Sequence, residues 1–272
     1  MTGILKVDQW KDSGDNALMT SDGAGNLSVD VNLGIKNSSP SHTLDISDTT
    51  TTAKTLRVGQ SGGTGTADAT MIISNGGSGN AMLRFDYEGQ YTDRARIGVT
   101  SSGQTLRFYT AGANERMAID NNGQVSKPAQ SSFRAGRNSN YTPGAGADII
   151  FNTVSGGDHY NIGNDYNTSN GRFTAPVAGR YLFITQILYQ GVTDGTNMVD
   201  SIRFTTNGVE RTYGSRRAYY RNTYTGDGGY FADFTTDIFN LNANDYVTVR
   251  AKKGNQVHGN DQYTIFTGYF LG

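Results

Sequence analysis

Cysteine is absent from the 272 residues, so a disulfide framework, a thiolate metal site and a cysteine nucleophile are all excluded. Stability has to come from packing and assembly. Proline is scarce, four residues in all, which argues against a Pro-rich linker. Charge of one sign is also missing. Lys and Arg number 23 against 24 Asp and Glu, dispersed along the chain for a net −1, so nucleic acid and anionic membrane surfaces are not expected partners. No apolar run approaches the ~20 residues of a membrane span, and the first ten residues hold no stretch of signal-peptide length. The expectation is a product made in the cytoplasm without membrane insertion.

Glycine, by contrast, is abundant at 36 residues, set among Asn, Ser, Thr and Asp in the vocabulary of tight turns between short strands. Tyr (16) and Phe (12) supply the aromatic weight of an all-β chain. Two regions read differently, 1–127 and 131–272, with the junction near Ser126-Lys-Pro128-Ala-Gln130. The first is too thin to build a monomeric core. From Ser47 to Thr66 its apolar side chains are Ala53, Leu56 and Val58, so the segment is either disordered or buries these residues against copies of itself. A loose repeat favours assembly. Leu56-Arg57-Val58, Leu83-Arg84-Phe85 and Leu106-Arg107-Phe108 each alternate apolar, charged, apolar, as a strand with one buried face does. The alternative is chance recurrence of such triplets in a β-rich chain.

Short degenerate motifs in this region, Leu18-Met-Thr-Ser-Asp-Gly23, Ser39-Pro-Ser-His-Thr-Leu-Asp-Ile46 and Asn114-Glu-Arg-Met-Ala-Ile-Asp-Asn-Asn-Gly123 among them, resemble the shaft segments of bacteriophage tail fibres. The resemblance implies a β-rich shaft of intertwined trimers over 1–127, attached to other virion proteins through its N-terminal region.

From Phe133 onward apolar density rises, and strands are expected at 132–137, 148–154, 171–177, 179–189, 198–206, 209–220, 229–241, 246–251 and 263–271, at the spacing of a sandwich or barrel. Asn207-Gly208 is a strong hairpin signal; Asp227-Gly228-Gly229 and Gly254-Asn255 are weaker ones. Two strands are apolar on both faces. Tyr181, Phe183, Ile187 and Tyr189 oppose Leu182, Ile184 and Leu188; Phe266 and Phe270 oppose Ile265, Tyr269 and Leu271. Each needs a second cover, the facing sheet or a neighbouring subunit. The stretch Gly171-Arg-Phe-Thr-Ala-Pro-Val-Ala-Gly-Arg-Tyr-Leu-Phe183, with Asn161 and Tyr166 before it and Thr264–Leu271 at the end, resembles the C1q globular domain over 131–272. Departures are Thr185, where an aromatic is usual, and a first loop lengthened by Ser155–His159. The resemblance implies a ten-stranded C1q/TNF-like jelly roll that trimerises through hydrophobic faces, with Phe173, Tyr181, Phe183, Phe266, Tyr269 and Phe270 on the core or trimer strands, and binding carried by loops.

Signals of chemistry are few. His42, His159 and His258 lack a second ligand at zinc spacing, and no nucleophile elbow or phosphate-binding glycine loop is present. Asp165-Tyr-Asn-Thr-Ser169 begins like a calcium loop but has Asn170 and Pro176 where Gly and Glu are required, so it is not an EF-hand. Calcium on scattered oxygens such as Asp194, Asp200 or Asp245 stays open, and no cofactor is expected. Asp227, Asp233, Asp237, Asp261 and Glu210 could supply the carboxylate pair of a glycan hydrolase, but read better as solvated loop acids. No enzyme activity is expected. In Arg211–Tyr224 arginines and tyrosines interleave. Rings stack on sugars while guanidinium groups bind hydroxyls, carboxylates or phosphates, which makes Arg216, Arg217, Tyr219, Tyr220, Arg221 and Tyr224 candidates for receptor contact. The competing reading is a solubilised edge strand. The expected function is a homotrimeric fibre of the virion, its head binding host surface polysaccharide or protein. The alternatives are a purely structural capsid or neck decoration and a polysaccharide depolymerase.

Overall fold

A computed structural model of the chain describes residues 9–11, 14, 17–21, 27–29, 33–35, 44–46, 73, 80–87, 90–100, 104–192, 201–211 and 229–272. Among the described residues every regular element is a strand. The chain divides into two compact units, Met1–Ile72 and Ile73–Gly272. In the first, β1 (Gln9–Lys11), β2 (Ala17–Ser21) and β3 (Leu27–Val29) form an antiparallel sheet, and β4 (Leu33–Ile35) pairs in parallel with β5 (Leu44–Ile46). Leu56-Arg57-Val58 lies outside the described residues.

The second unit begins with an antiparallel meander of β6 (Ala81–Tyr87), β7 (Gln90–Val99), β8 (Leu106–Thr110), β9 (Asn114–Ile119) and β10 (Val125–Ser126). Its register gives the repeat a physical meaning. Leu83 faces Ile97, Ile97 faces Phe108, and Phe108 faces Met117, so one side of the sheet is apolar from edge to edge. The arginines of both described triplets fall on the other side, where Arg107 pairs with Glu115 and Arg96 lies over the Tyr109 ring at 4.9 Å. The apolar side is left open: Leu83, Phe85 and Val125 are 41%, 49% and 55% exposed.

Five residues after Ser126 the chain enters a two-layer sandwich. Its strands are β11 (Ser132–Gly136), β12 (Tyr160–Ile162), β13 (Tyr166–Asn167), β14 (Arg172–Thr174), β15 (Gly179–Gln190), β16 (Ile202–Thr206), β17 (Val209–Glu210), β18 (Phe231–Leu241), β19 (Tyr246–Ala251), β20 (Gln256–Val257) and β21 (Ile265–Phe270). One layer runs β12-β11-β21-β15-β18, with β20 on the end of β15; the other runs β13-β14-β19-β16-β17. That makes eleven strands among the described residues rather than ten, the short pairs β13, β17 and β20 being two residues each.

Alternation along β15 decides the core. Tyr181, Phe183, Ile187 and Tyr189 are fully buried between the layers. Phe133 stacks on Tyr166 and Phe173 at 4.7 and 5.2 Å and meets Phe266 edge-on at 4.9 Å. Each such ring contributes about 2–3 kcal/mol relative to exposure. Asn207 and Gly208 both take positive φ, 51° and 79°, the type I′ turn that matches strand twist, and join β16 to β17. Gly254-Asn255 is no hairpin: the chain leaves β19 there and crosses to pair with β15 through β20.

The expected strand at 148–154 is not formed. Ile149 and Phe151 are buried as alternation predicts, but the Ile149 N–H donates to Val249 in one layer while the Thr153 N–H donates to Gly136 in the other. The segment crosses between sheets and completes a ladder with neither. The expected 209–220 strand is seen only as Val209–Glu210, its continuation past 211 lying outside the described residues.

Candidate functional site

The outward side of the six-stranded layer carries an apolar band that is uncovered among the described residues. Cross-strand partners set its composition. One rung carries Ile162, Ser132, Tyr269, Leu182 and Ile238; the next carries Tyr160, Arg134, Thr267, Ile184 and Thr236; Ile265, Gln186 and Phe234 follow. Ile184, Phe234, Ile238 and Tyr269 are 39%, 43%, 54% and 40% exposed. Single exposed apolar residues are ordinary, but a contiguous band of them marks an interaction surface.

Polar groups on this side are few. The Tyr160 hydroxyl donates to the Tyr269 hydroxyl, and partial burial pushes the Tyr160 phenol up from its usual range, with the Tyr269 bond adding to the shift and Arg134 opposing it. Arg134 is half-buried, and its Nε is out of solvent without a hydrogen-bond partner.

The opposite layer presents polar chemistry that is already satisfied. Glu210 accepts from Lys252 Nζ at 2.7 Å and from Arg203 Nη1 at 2.8 Å, and the Lys252 bond foremost holds its carboxyl below the usual range. Arg250 is held by Asp148 at 3.0 Å, and Arg172 lies over the Tyr246 ring at 4.1 Å. Asn207 Nδ2 donates to Asp245 at 2.7 Å, which lowers that carboxyl and ties the β16–β17 turn to Tyr246.

A cleft of about 530 Å³ opens where β9 and the 127–131 connection meet the base of the sandwich. Arg116 and Lys127 stand among its walls, with Asp165, Val177 and Phe270. Ser131 Oγ donates to Asp165 at 2.6 Å, so that acid is already engaged. At the other end of the sandwich His258 lies between the exposed rings of Tyr230 and Tyr263, at centroid distances of 5.4 and 6.5 Å.

Of the residues singled out from the sequence, Phe173, Tyr181, Phe183 and Phe266 lie in the closed core, Phe270 packs against it, and Tyr269 stands on the outward side. Arg216, Arg217, Tyr219, Tyr220, Arg221 and Tyr224 lie outside the described residues, as do His42, Asp194, Asp200 and Asp227. Arg211, which opens their segment, is exposed, and its N–H donates to Phe204. The His159 ring is used structurally, its two nitrogens lying 2.9 and 3.0 Å from the Gly156 and Asp261 carbonyl oxygens. Among the described residues no cluster of three metal-ligating side chains occurs. Asp233 is buried with its carboxylate on Ser201, while Asp237 sits half-buried on edge strand β18.

Arg134, Tyr160, Ile162, Phe234 and Ile238 are members of the outward side that sequence reasoning did not single out. Arg134 sits within a strand legible from its alternation. Tyr160–Ile162 follows a glycine-rich loop and carries too short an alternation to register as a strand.

The family model described as C1q domain matches residues 132–271, just over half of the chain. Similar solved structures include the globular domain of zebrafish complement 1qA protein, 16% identical, covering 53% of this chain and 98% of that one at a TM-score of 0.37. Murine APRIL is another, 14% identical, covering 52% and 99% at a TM-score of 0.36.

Proposed function

This chain belongs to the C1q domain family, and on that premise we propose that it is a homotrimeric structural fibre of a bacteriophage particle, tail or other appendage, whose C-terminal head binds the host cell surface. One observation carries the reading: two apolar sheet faces, on β6–β10 and on the outward side of the sandwich, are left uncovered among the described residues. The two are joined by a five-residue connection, so any assembly through the heads raises the effective concentration of the β6–β10 sheets for one another. Copies of the chain are the cover that meets both faces at once. The first 127 residues then form the shaft and its attachment to other virion proteins, and the head is the end free to touch a cell. No catalytic constellation is needed for that work, and three weak sites per head give avidity.

Gold-labelled antibody against the head, viewed on particles of the source phage by electron microscopy, is expected to mark the free ends of fibres. Addition of purified chain to cells before infection is expected to block adsorption. Labelling of no particle, or adsorption unaffected by saturating protein, overturns the reading.

A further inference from the structure

We infer that the cleft of about 530 Å³ at the base of the sandwich is a binding site for a sugar ring carrying one anionic group, a carboxylate or a phosphate. This goes beyond the host contact proposed above, and rests neither on it nor on self-association. The volume lies within the ~300–1,000 Å³ that small-molecule sites occupy. Separate parts of the chain line it. Arg116 stands on β9 and Lys127 in the connection, while Asp165, Pro176, Val177 and Phe270 belong to the sandwich.

The cations define one requirement. Arg116 Nε donates to Thr110 Oγ1 at 2.9 Å, and its Nη groups hold no bond among the described residues. Neither Arg116 nor Lys127 has a carboxylate partner among those residues, and both side chains are exposed. A guanidinium fork and an ammonium lining the same cleft suit an oxyanion, which takes charge-assisted hydrogen bonds from both.

The sandwich sets two more. Pro176, Val177 and Phe270 give the cleft an apolar wall, with Val177 48% exposed. Asp165 lines the cleft with them: Ser131 Oγ donates to its Oδ2 at 2.6 Å, and Oδ1 accepts no bond among the described residues, which leaves an acceptor for a hydroxyl. Gly163 makes room for that carboxylate, since a Cβ there would overlap Asp165 Oδ2. An inorganic anion would leave the apolar wall bare, a neutral sugar would leave both cations unmatched, and a fatty acid would bring hydrocarbon rather than hydroxyl to Asp165. A sugar ring with one anionic group meets all three requirements. Its anion takes the cations, its C–H face packs on the wall, and a hydroxyl donates to Asp165.

The test is calorimetric titration of the full-length chain with galacturonate, glucose 6-phosphate, galactose and inorganic phosphate. At least one of the two anionic sugars should bind about tenfold or more tighter than galactose and than phosphate alone, and the tighter of the two tells carboxylate from phosphate. Arg116→Gln and Lys127→Gln should each weaken that binding by about tenfold, and Val177→Asp, which sets an acid on the apolar wall, should abolish it. Near-UV circular dichroism should match the parent in all three, since each residue is exposed. Anionic sugars that bind no tighter than galactose, inorganic phosphate that binds as well as glucose 6-phosphate, or Lys127→Gln and Arg116→Gln variants that bind like the parent overturn the inference.

Discussion

Tyr166 shows what a single side chain does in this sandwich. Its hydroxyl donates to the Phe151 carbonyl at 3.1 Å and accepts the Phe151 N–H at 3.2 Å, pinning the segment that crosses between layers. Burial pushes this phenol up despite the Phe151 bond, as it does Tyr189. Tyr166→Phe keeps the ring stack but strands a buried amide and carbonyl, and should lower stability by about 1–3 kcal/mol in urea titration at fixed protein concentration. Gly268 is constrained differently: a Cβ there would overlap Phe133 and come within 2.8 Å of Phe183 Cε1, so each ring packs on a bare backbone at this position. At Glu210 the carboxyl is held below its usual range by Lys252 and Arg203. A depressed folded value means that its contribution is present above the ordinary carboxylate pKa of about 4.3 and is lost as pH falls through the folded value. The parent should therefore lose more stability between neutral pH and pH ~3 than Glu210→Gln does. The difference should be at most about 1 kcal/mol and shrink with salt, because the site is partly exposed.

At the scale of elements, β15 and the β6–β10 meander pose the same problem twice. Along β15 every second side chain is buried between layers, while Leu182, Ile184 and Leu188 project to the outward side. Ile184→Asp should leave the sandwich folded, since its site is 39% exposed, yet abolish association as read by sedimentation. Loss of fold together with association would instead place Ile184 in the core. The two-sided character of this strand was legible in the sequence, because Leu-Phe-Ile and Ile-Leu-Tyr runs cannot put all their apolar atoms on one face. The 148–154 segment was misread because alternation reports which side chains are buried, not which sheet takes the backbone bonds. In the meander, the Leu-Arg-Phe triplets announced alternation; pairing register decided that Leu83 of one and Phe108 of the other line up through Ile97 and on to Met117.

For the whole molecule, assembly is expected to add to the stability of a subunit that already has its own closed core. An oligomer whose faces are covered only by its own copies melts at a temperature that rises with protein concentration. Calorimetry over a hundredfold range should show a rise of several degrees, and a concentration-independent transition would mean that the subunit stands alone. Recognition of a host is a separate matter, carried in the proposal by the exposed end of the head. Arg211 is the last described residue before the Arg- and Tyr-rich segment considered for that contact.

Composition and alternation by themselves determined an all-β chain without cysteine chemistry and strands too apolar to stand half in water; the resemblance to the C1q domain put Phe173, Tyr181, Phe183 and Phe266 on core or trimer strands, and the structure places them in the closed core. These follow from local facts: turn residues, period-two patterning and the cost of exposing rings. Only the tertiary structure decided that Arg134, Ile184, Ile238 and Tyr269 share one side of a sheet. Strand order and register bring together residues about a hundred positions apart, and neither is written in any one strand, since each ladder is chosen by packing against all the others.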